Sequence, residues 1–311
     1  MLNRDFTKSN KEYIKKNKYV LCALFAFLVI GLVIACVFGF NGNFEMKKYN
    51  EFSVNVGVVS TKTGNSYRED IKNIVNNYGG DVDTISVLDE GDLTKYVVRY
   101  STHLSEEEQI SINAEIAQEL EIEIIKISEH VQVNPVVKAS DYIYTAAAIL
   151  IILVIATIFA FIRYNGASAI AIIMACLLGS AGFLSISAIL RLSIGLSYFA
   201  MIVILNVLII YSAINIFERI RESGFIENKD YSSAIKTAMI KSRKQLTVIS
   251  VAVMTIGVLF VLLAPTPARL VSLNIMFMSV VLLAVSCYVI PFVWSMLITY
   301  CNKRKVKKEQ K

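Results

Sequence analysis

The sequence lacks the residues from which catalytic and metal sites are usually built. Its two histidines, His103 and His130, stand apart, and each is predicted to be a surface residue. The five cysteines lie in or beside apolar runs without metal-ligand spacing, so they predict neither a metal site nor a disulfide framework. With no nucleophile–base pair, phosphate loop or metal cluster, the sequence predicts no enzyme activity and no cofactor.

Long apolar runs dominate what is present. Hydrophobic residues make up 55% of the 311 residues, too many for a soluble domain of this length. A helix needs roughly 20 apolar residues to cross a bilayer. Six runs meet that length, and none contains Asp or Glu: 19–40, 142–162, 167–190, 196–217, 246–264 and 270–300. The sequence therefore predicts an α-helical polytopic membrane protein with six transmembrane helices, the first being a retained span rather than a signal peptide.

Basic residues indicate the orientation. Twenty of the 31 lysines and arginines lie in residues 1–18, at Arg163, in the loop 218–245 and in the tail 301–311. Because cytoplasmic loops carry the excess of such residues, both termini are predicted to lie in the cytoplasm. The net charge of +6 makes anionic membrane lipid the nearest expected partner and gives no reason to expect nucleic acid.

One long polar segment, residues 41–141, is predicted to lie outside the cytoplasm. It contains 18 acidic and nine basic residues. Its pattern predicts strand, helix, strand, strand, helix, strand, the βαββαβ order of a ferredoxin-like domain. Two helices open with capping boxes, Ser66 with Glu69 and Ser105 with Glu108, and Gly79-Gly80 ends the first. A hairpin of residues 83–88 and 94–100 lies between the helices, and residues 121–133 are predicted to form the last strand.

A bundle of five helices is predicted over residues 142–300. Small residues such as Gly179 and Ser180 let helix backbones approach closely in lipid and predict a contact face. Gly224 is predicted to end the fourth span, and a short amphipathic surface helix is expected to begin after Asp230. Pro265 and Pro267 predict a tight turn before the last span.

The most informative stretch is NVLIIYSAINIFERIRE, residues 206–222, named the exit segment below. Its apolar part contains the polar residues Asn206, Tyr211, Ser212 and Asn215. It ends in charges of alternating sign, Glu218, Arg219, Arg221 and Glu222. Such charges are expected at the membrane boundary, where long side chains reach the headgroups. Gly179, Ser180, Asn206 and Asn215 are candidates for contact with a partner subunit.

The exit segment resembles the SecF family of the bacterial preprotein translocase, which is related to the RND transporters. Tyr211-Ser212 followed by Phe217-Glu-Arg-Ile-Arg-Glu222 is similar to a family motif at this position. Ser242-Arg243 followed by Thr247 and Ser250 is similar to a second one. The resemblance implies an accessory subunit in the bacterial cell membrane that assists preprotein translocation. It also implies a SecD-like partner, the Sec translocase channel and a translocating polypeptide as further partners.

The departures from the family are informative too. The family places aspartates within two spans, whereas this chain has Ser212 where one of them is expected. A proton path through hydrocarbon needs an ionisable group, so this chain is not expected to carry the proton itself. Two other functions stay open: a membrane sensor or scaffold whose acidic external domain binds a ligand or protein, and half of an RND-type exporter.

Overall fold

A computed structural model describes residues 4–42, 44–57, 64–90, 93–192, 194–226, 231–263 and 266–309. The chain forms two compact units. The helical unit consists of Met1–Asn41 and Ala139–Lys311, and the α+β unit is Gly42–Lys138.

Long apolar helices make up the helical unit. They are α1 (Arg4–Phe38), α4 (Ala139–Arg163), α5 (Gly166–Ile189), α6 (Leu196–Ile226), α7 (Tyr231–Leu263), α8 (Thr266–Ala284) and α9 (Ile290–Glu309). Among the described residues, five stretches are long and apolar enough to span a membrane: Ala139–Arg163, Gly166–Ile189, Leu196–Glu222, Ile240–Leu263 and Val271–Ile298. The described apolar part of α1, Cys22–Phe38, is shorter. The chain is thus a polytopic membrane protein.

Two predicted boundaries in this unit are wrong. Gly224 does not end α6, which continues to Ile226. The amphipathic helix expected after Asp230 continues into the fifth span, and the two form one helix, α7. Pro267 belongs to the first turn of α8, where its missing N–H costs no helical hydrogen bond, and Pro265 lies outside the described residues.

The last predicted span is interrupted by a π-helical turn. Val285–Val289 separates α8 from α9 inside an otherwise continuous apolar stretch. A π turn inserts one residue into the helical register and disturbs the backbone hydrogen bonds around it. Such turns are frequent at functional sites.

The end of α1 is attached to the connection between α5 and α6. Arg191 donates hydrogen bonds to the carbonyl oxygens of Phe38 and Gly39, at 3.1 and 2.8 Å. Asn41 returns a bond from its Nδ2 to the carbonyl oxygen of Arg191, at 3.0 Å. In the helical unit, these bonds satisfy carbonyls that the end of α1 leaves without helical partners.

The α+β unit contains a four-stranded antiparallel sheet and two helices. Its elements are β1 (Tyr49–Gly57), α2 (Gly64–Asn77), β2 (Val82–Glu90), β3 (Leu93–Tyr100), α3 (Glu106–Glu119) and β4 (Val131–Val133). The strand order is β2-β3-β1-β4, with antiparallel neighbours throughout. Alternate residues of β1, Phe52, Val54 and Val56, are buried in one core with α2 and α3 residues such as Ile71 and Ile112. Period-two burial on one face is what a half-buried strand requires.

Helix-terminus signals in this unit are largely confirmed. Ser105 and Glu108 form the predicted capping box, with both reciprocal hydrogen bonds present. Gly79 has a φ of 79°, and the amides of Gly79 and Gly80 bond the carbonyls of Asn76 and Val75. That pair of bonds ends α2 as predicted. Ser66 lies inside α2 rather than before it, because the helix already begins at Gly64.

The predicted last strand and the surface position of His130 are both wrong. Only Val131–Val133 pairs as β4, because Glu121 turns the chain with a φ of 52° and Ile124–Lys126 forms a 3₁₀ turn. The apolar residues of this stretch suggested a buried strand, yet Ile125 is 88% exposed. His130 is half-buried and stacks on the ring of Phe52, with centroids 4.2 Å apart.

Candidate functional site

The exit segment occupies the second half of α6, and its charged end contacts two other helices. Glu218 accepts hydrogen bonds from Arg163 Nη2 at 3.0 Å and from the Tyr164 hydroxyl at 2.7 Å. Arg163 ends α4, and Tyr164 lies in the short connection to α5. Burial, and secondly the bond to Glu218, raise the pKa of Tyr164 to about 12. The hydroxyl therefore stays a donor at neutral pH, and Glu218 joins α6 to the end of α4.

Arg219 forms the second link, from α6 to α7. Its Nε donates to Asn215 Oδ1 at 3.3 Å, one helical turn earlier. Its Nη2 donates to Gln245 Oε1 on α7. Asn215 therefore orients the Arg219 guanidinium from within α6, and Gln245 on α7 accepts its second hydrogen bond. The two adjacent residues Glu218 and Arg219 thus point to different helices.

The other charged residues of the segment are more exposed. Arg221 lies 3.4 Å from Glu218 as an i,i+3 ion pair, with 41% of its side chain exposed. Glu222 is exposed, and so is Tyr211 at 50%. Exposed pairs of this type contribute little to stability, a median of about 0–1 kcal/mol. The role of Arg221 and Glu222 as boundary anchors stays a prediction.

The deeper polar residues pair inside the chain. Asn206 is buried and donates from Nδ2 to Ser180 Oγ on α5 at 2.9 Å, and to the carbonyl of Ile202 at 2.8 Å. Gly179 lies beside this contact, and a Cβ there would come within 2.3 Å of Ile209. The predicted helix contact is therefore the α5–α6 contact, formed within this chain. Gly179 and Asn206 are consequently not exposed for a partner subunit, contrary to the expectation from sequence.

Ser212 does not link helices either. Its hydroxyl is buried and donates to the carbonyl of Leu208, one turn earlier on α6, at 2.8 Å. Such a bond satisfies the hydroxyl within its own helix. Ser250 is buried too, and its hydroxyl has no partner among the described residues.

Arg243 and Thr247 meet at the π turn. Arg243 Nε donates to the carbonyl of Cys287 at 3.0 Å, and its guanidinium lies 5.2 Å from the ring centre of Tyr288. Thr247 Oγ1 lies 3.9 Å from Cys287 Sγ. The second sequence motif thus contacts a backbone carbonyl of the π turn.

Several of these partners were not predicted. Tyr164, Gln245 and Cys287 complete the contacts of Glu218, Arg219 and Arg243, and they come from the α4–α5 connection, from α7 and from the π turn. A further link joins Trp294 Nε1 on α9 to Ser168 Oγ on α5, at 3.2 Å. The one sequence signal for any of them is position: Tyr164 follows Arg163, and Gln245 follows a basic loop.

Taken together, the contacts position helices rather than reacting groups. The bonds of Glu218 and Arg219 join α6 to α4 and α7. The bond of Arg243 joins α7 to the π turn before α9. Within the part of the chain that is described, no group of three His, Cys, Asp or Glu side chains is placed to hold a metal ion.

Comparison with known proteins gives a result for structure only. No family model and no curated protein matches this sequence. A structure of SecDF in the super-membrane-facing form is similar over 96% of this chain, with a TM-score of 0.71 and 17% identity. SecDF from Thermus thermophilus, a translocon-associated membrane protein, is similar over 94%, with a TM-score of 0.64 and 17% identity.

The chain spans about two fifths of the length of these SecDF chains, 39% and 38%. At 17% identity the similarity shows a shared fold. The resemblance to this group of Sec membrane proteins, expected from the exit segment, is confirmed at that level.

Proposed function

We propose that this chain is a SecF-like accessory subunit that assists the Sec machinery in moving polypeptides across the bacterial cell membrane. The observation that carries the proposal is the match of nearly the whole chain to part of SecDF, a translocon-associated membrane protein. The exit segment adds independent support, because the residues that resemble the SecF motif are those that join α6 to α4 and α7.

The proposed topology has six spans, with α1 as the first and both termini in the cytoplasm. The α+β unit would then lie outside the cytoplasm as a ferredoxin-like domain. Its strand order, with two helices inserted after β1 and β3, supports that assignment. The concentration of basic residues at both termini and around residues 218–245 supports the orientation.

A SecD-like partner is proposed because the chain accounts for about two fifths of SecDF. Gly179, Ser180 and Asn206 are occupied by the α5–α6 contact, so the partner surface lies elsewhere. Among the five stretches long enough to span a membrane, Ala139–Arg163 and Ile240–Leu263 are the least buried, with exposed apolar residues such as Ile155 and Val251. The acidic segment 41–141, with nine more acidic than basic residues, is proposed to contact the translocating polypeptide.

Proton transfer is proposed to depend on the partner. The apolar spans contain no Asp or Glu, and Ser212 bonds its own helix. Asn206, Ser212 and Asn215 have no ionisable group that could carry a proton near neutral pH. In this proposal the chain moves with its partner and supplies no proton carrier of its own.

Co-purification tests the proposal. The full chain, tagged and expressed at its native level, is expected to be recovered with a second polytopic subunit and with the translocase channel. An unrelated polytopic protein with the same tag is the control. Recovery of the chain with neither component would contradict the proposal, and a specific soluble ligand or protein bound in their place would favour the sensor or scaffold function.

A further inference from the structure

Three basic side chains line one cleft between α6 and α7. The cleft has a volume of about 470 Å³ and is lined by Arg219, Lys241, Lys244, Gln245, Val248 and Ile249. No acidic side chain among the described residues lines it. Glu218 is directed to Arg163 and Tyr164 at the end of α4. The surface of this open cleft is mainly aliphatic, and three of its six lining residues are basic.

The sequence of α7 places the lining on one face of the helix. Lys241, Lys244, Gln245 and Val248 follow the spacing i, i+3, i+4 and i+7, which brings side chains onto a common face. The opposite wall is Arg219, which its bonds to Asn215 and Gln245 hold in position at the cleft. A charged group that is already ordered loses less entropy when a ligand binds.

The cleft changes from polar to apolar along its length. The membrane-spanning part of α7 begins at Ile240, so Lys241 and Lys244 occupy its first turns. Arg219 lies near the end of the α6 span, which closes at Glu222. Val248, one turn deeper on α7, is 63% exposed. A ligand in this cleft therefore meets three cations at the membrane boundary and aliphatic side chains below them.

We infer that this cleft binds an anionic phospholipid, with the phosphate held by Arg219, Lys241 and Lys244 and an acyl chain lying along Val248. Basic pockets between transmembrane helices suit such headgroups. A free phosphate would contact the cations but would not contact the apolar part of the cleft. The inference requires only that α6 and α7 span a membrane, so it holds whether or not the export role is correct.

Lipid binding to the full chain in detergent tests this site. Native mass spectrometry would compare dioleoyl phosphatidylglycerol with dioleoyl phosphatidylcholine, which has the same acyl chains and no net charge. We expect tighter binding of phosphatidylglycerol, and binding weakened about tenfold or more in the double variant Lys241→Gln, Lys244→Gln. The matched control is Lys307→Gln with Lys308→Gln, which removes the same charge from the tail and should change binding less than about twofold.

Two results would overturn the inference. One is equal loss of phosphatidylglycerol binding in both double variants, which would show general attraction to a basic protein. The other is displacement of the lipid by glycerol 3-phosphate at equal concentration, which would show a soluble phosphate site without a role for the acyl chain. The inference is supported if the unsubstituted chain prefers phosphatidylglycerol and only the Lys241→Gln, Lys244→Gln variant loses binding of that lipid.

Discussion

At the scale of single residues, His130 has the most unusual surroundings in the α+β unit. Its Nε2 donates to Asn113 Oδ1 at 3.0 Å, and its Nδ1 accepts from the Tyr100 hydroxyl at 2.8 Å. Both bonds suit the neutral imidazole, in which one ring nitrogen donates and the other accepts. Burial lowers the pKa of His130 to about 4. The ring is therefore a structural part of the core and uncharged at neutral pH.

This lowered pKa makes the stability of the α+β unit depend on pH. In the unfolded chain a histidine takes up its proton near pH 6.5, and in the folded chain His130 does so near pH 4. Stability is therefore full above pH 6.5 and falls between pH 6.5 and 4, by up to about 3 kcal/mol. Nuclear magnetic resonance of the His103→Asn full chain should show one histidine titrating near pH 4. A midpoint of 6 or higher would contradict the buried neutral ring.

Asn206 and Ser180 form the polar contact between α5 and α6. A hydrogen bond of this kind in a membrane is worth about 0.6 to 2 kcal/mol. In a double-mutant cycle of Asn206→Ala and Ser180→Ala, the coupling free energy of unfolding should fall in that range. Ser212→Ala is the control, because its bond stays within α6. Coupling of Asn206 to Ser212 as large as that to Ser180 would show that the contact is assigned wrongly.

At the scale of elements, the π turn before α9 depends on α7. Arg243 covers the carbonyl of Cys287 and packs on Tyr288. A hydrogen bond to a charged group contributes about 1.5–3 kcal/mol, so Arg243→Ala should lower the free energy of unfolding by that amount. Arg221→Ala is the matched control and should cost at most about 1 kcal/mol, because its ion pair is exposed.

If Arg243→Ala and Arg221→Ala lower the free energy of unfolding equally, the assigned role of Arg243 is contradicted. Unfolding of the full chain in mixed micelles gives both values. Accessibility of Cys287 to a maleimide, in a chain without the other cysteines, offers a second readout, since the thiol is buried. Faster labelling is expected for Arg243→Ala and not for Arg221→Ala.

The sequence predicts helices and strands well where the signal for them is a single local pattern, such as an apolar run or a helix cap. Five of the six apolar runs coincide with described stretches long enough to span a membrane, and the capping box at Ser105 located the start of α3, because both signals are local. The π turn was missed because one inserted residue leaves an apolar run unbroken. The last strand was overextended because Ile124 and Ile125 look buried in sequence and are exposed in the structure.

The site was predicted in part, for a related reason. The exit segment itself was identified from charges and polar residues that an apolar helix does not otherwise contain. Tyr164 lies 54 positions from Glu218, Gln245 lies 26 from Arg219, and Cys287 lies 44 from Arg243, so only the folded chain reveals these contacts. Asn206 was taken for a partner contact because sequence cannot tell an inner helix face from an outer one.

At the scale of the whole molecule, the proposed topology places Ser101 and Ser233 on opposite sides of the membrane. Single cysteines at Ser101 and Ser233, in a chain without its native cysteines, would be labelled in intact cells and in inverted membranes. Ser101 is exposed in the α+β unit and should react only from outside, whereas Ser233 should react only from the cytoplasm. Labelling of both positions from the same side would contradict the six-span arrangement.

The proposed role in export rests on the fold shared with part of SecDF and on the links made by the exit segment. The most direct measurement is pulse–chase maturation of a secreted preprotein in cells depleted of this chain. Depletion should slow conversion of precursor to mature protein, and the wild-type chain should restore it. Glu218→Gln with Arg219→Gln should restore it less well than Arg221→Gln, because only the first variant weakens both helix links. Synthesis of a cytosolic protein is the control and should not change. If depletion leaves the maturation rate of the preprotein unchanged as well, the proposed role in export is contradicted.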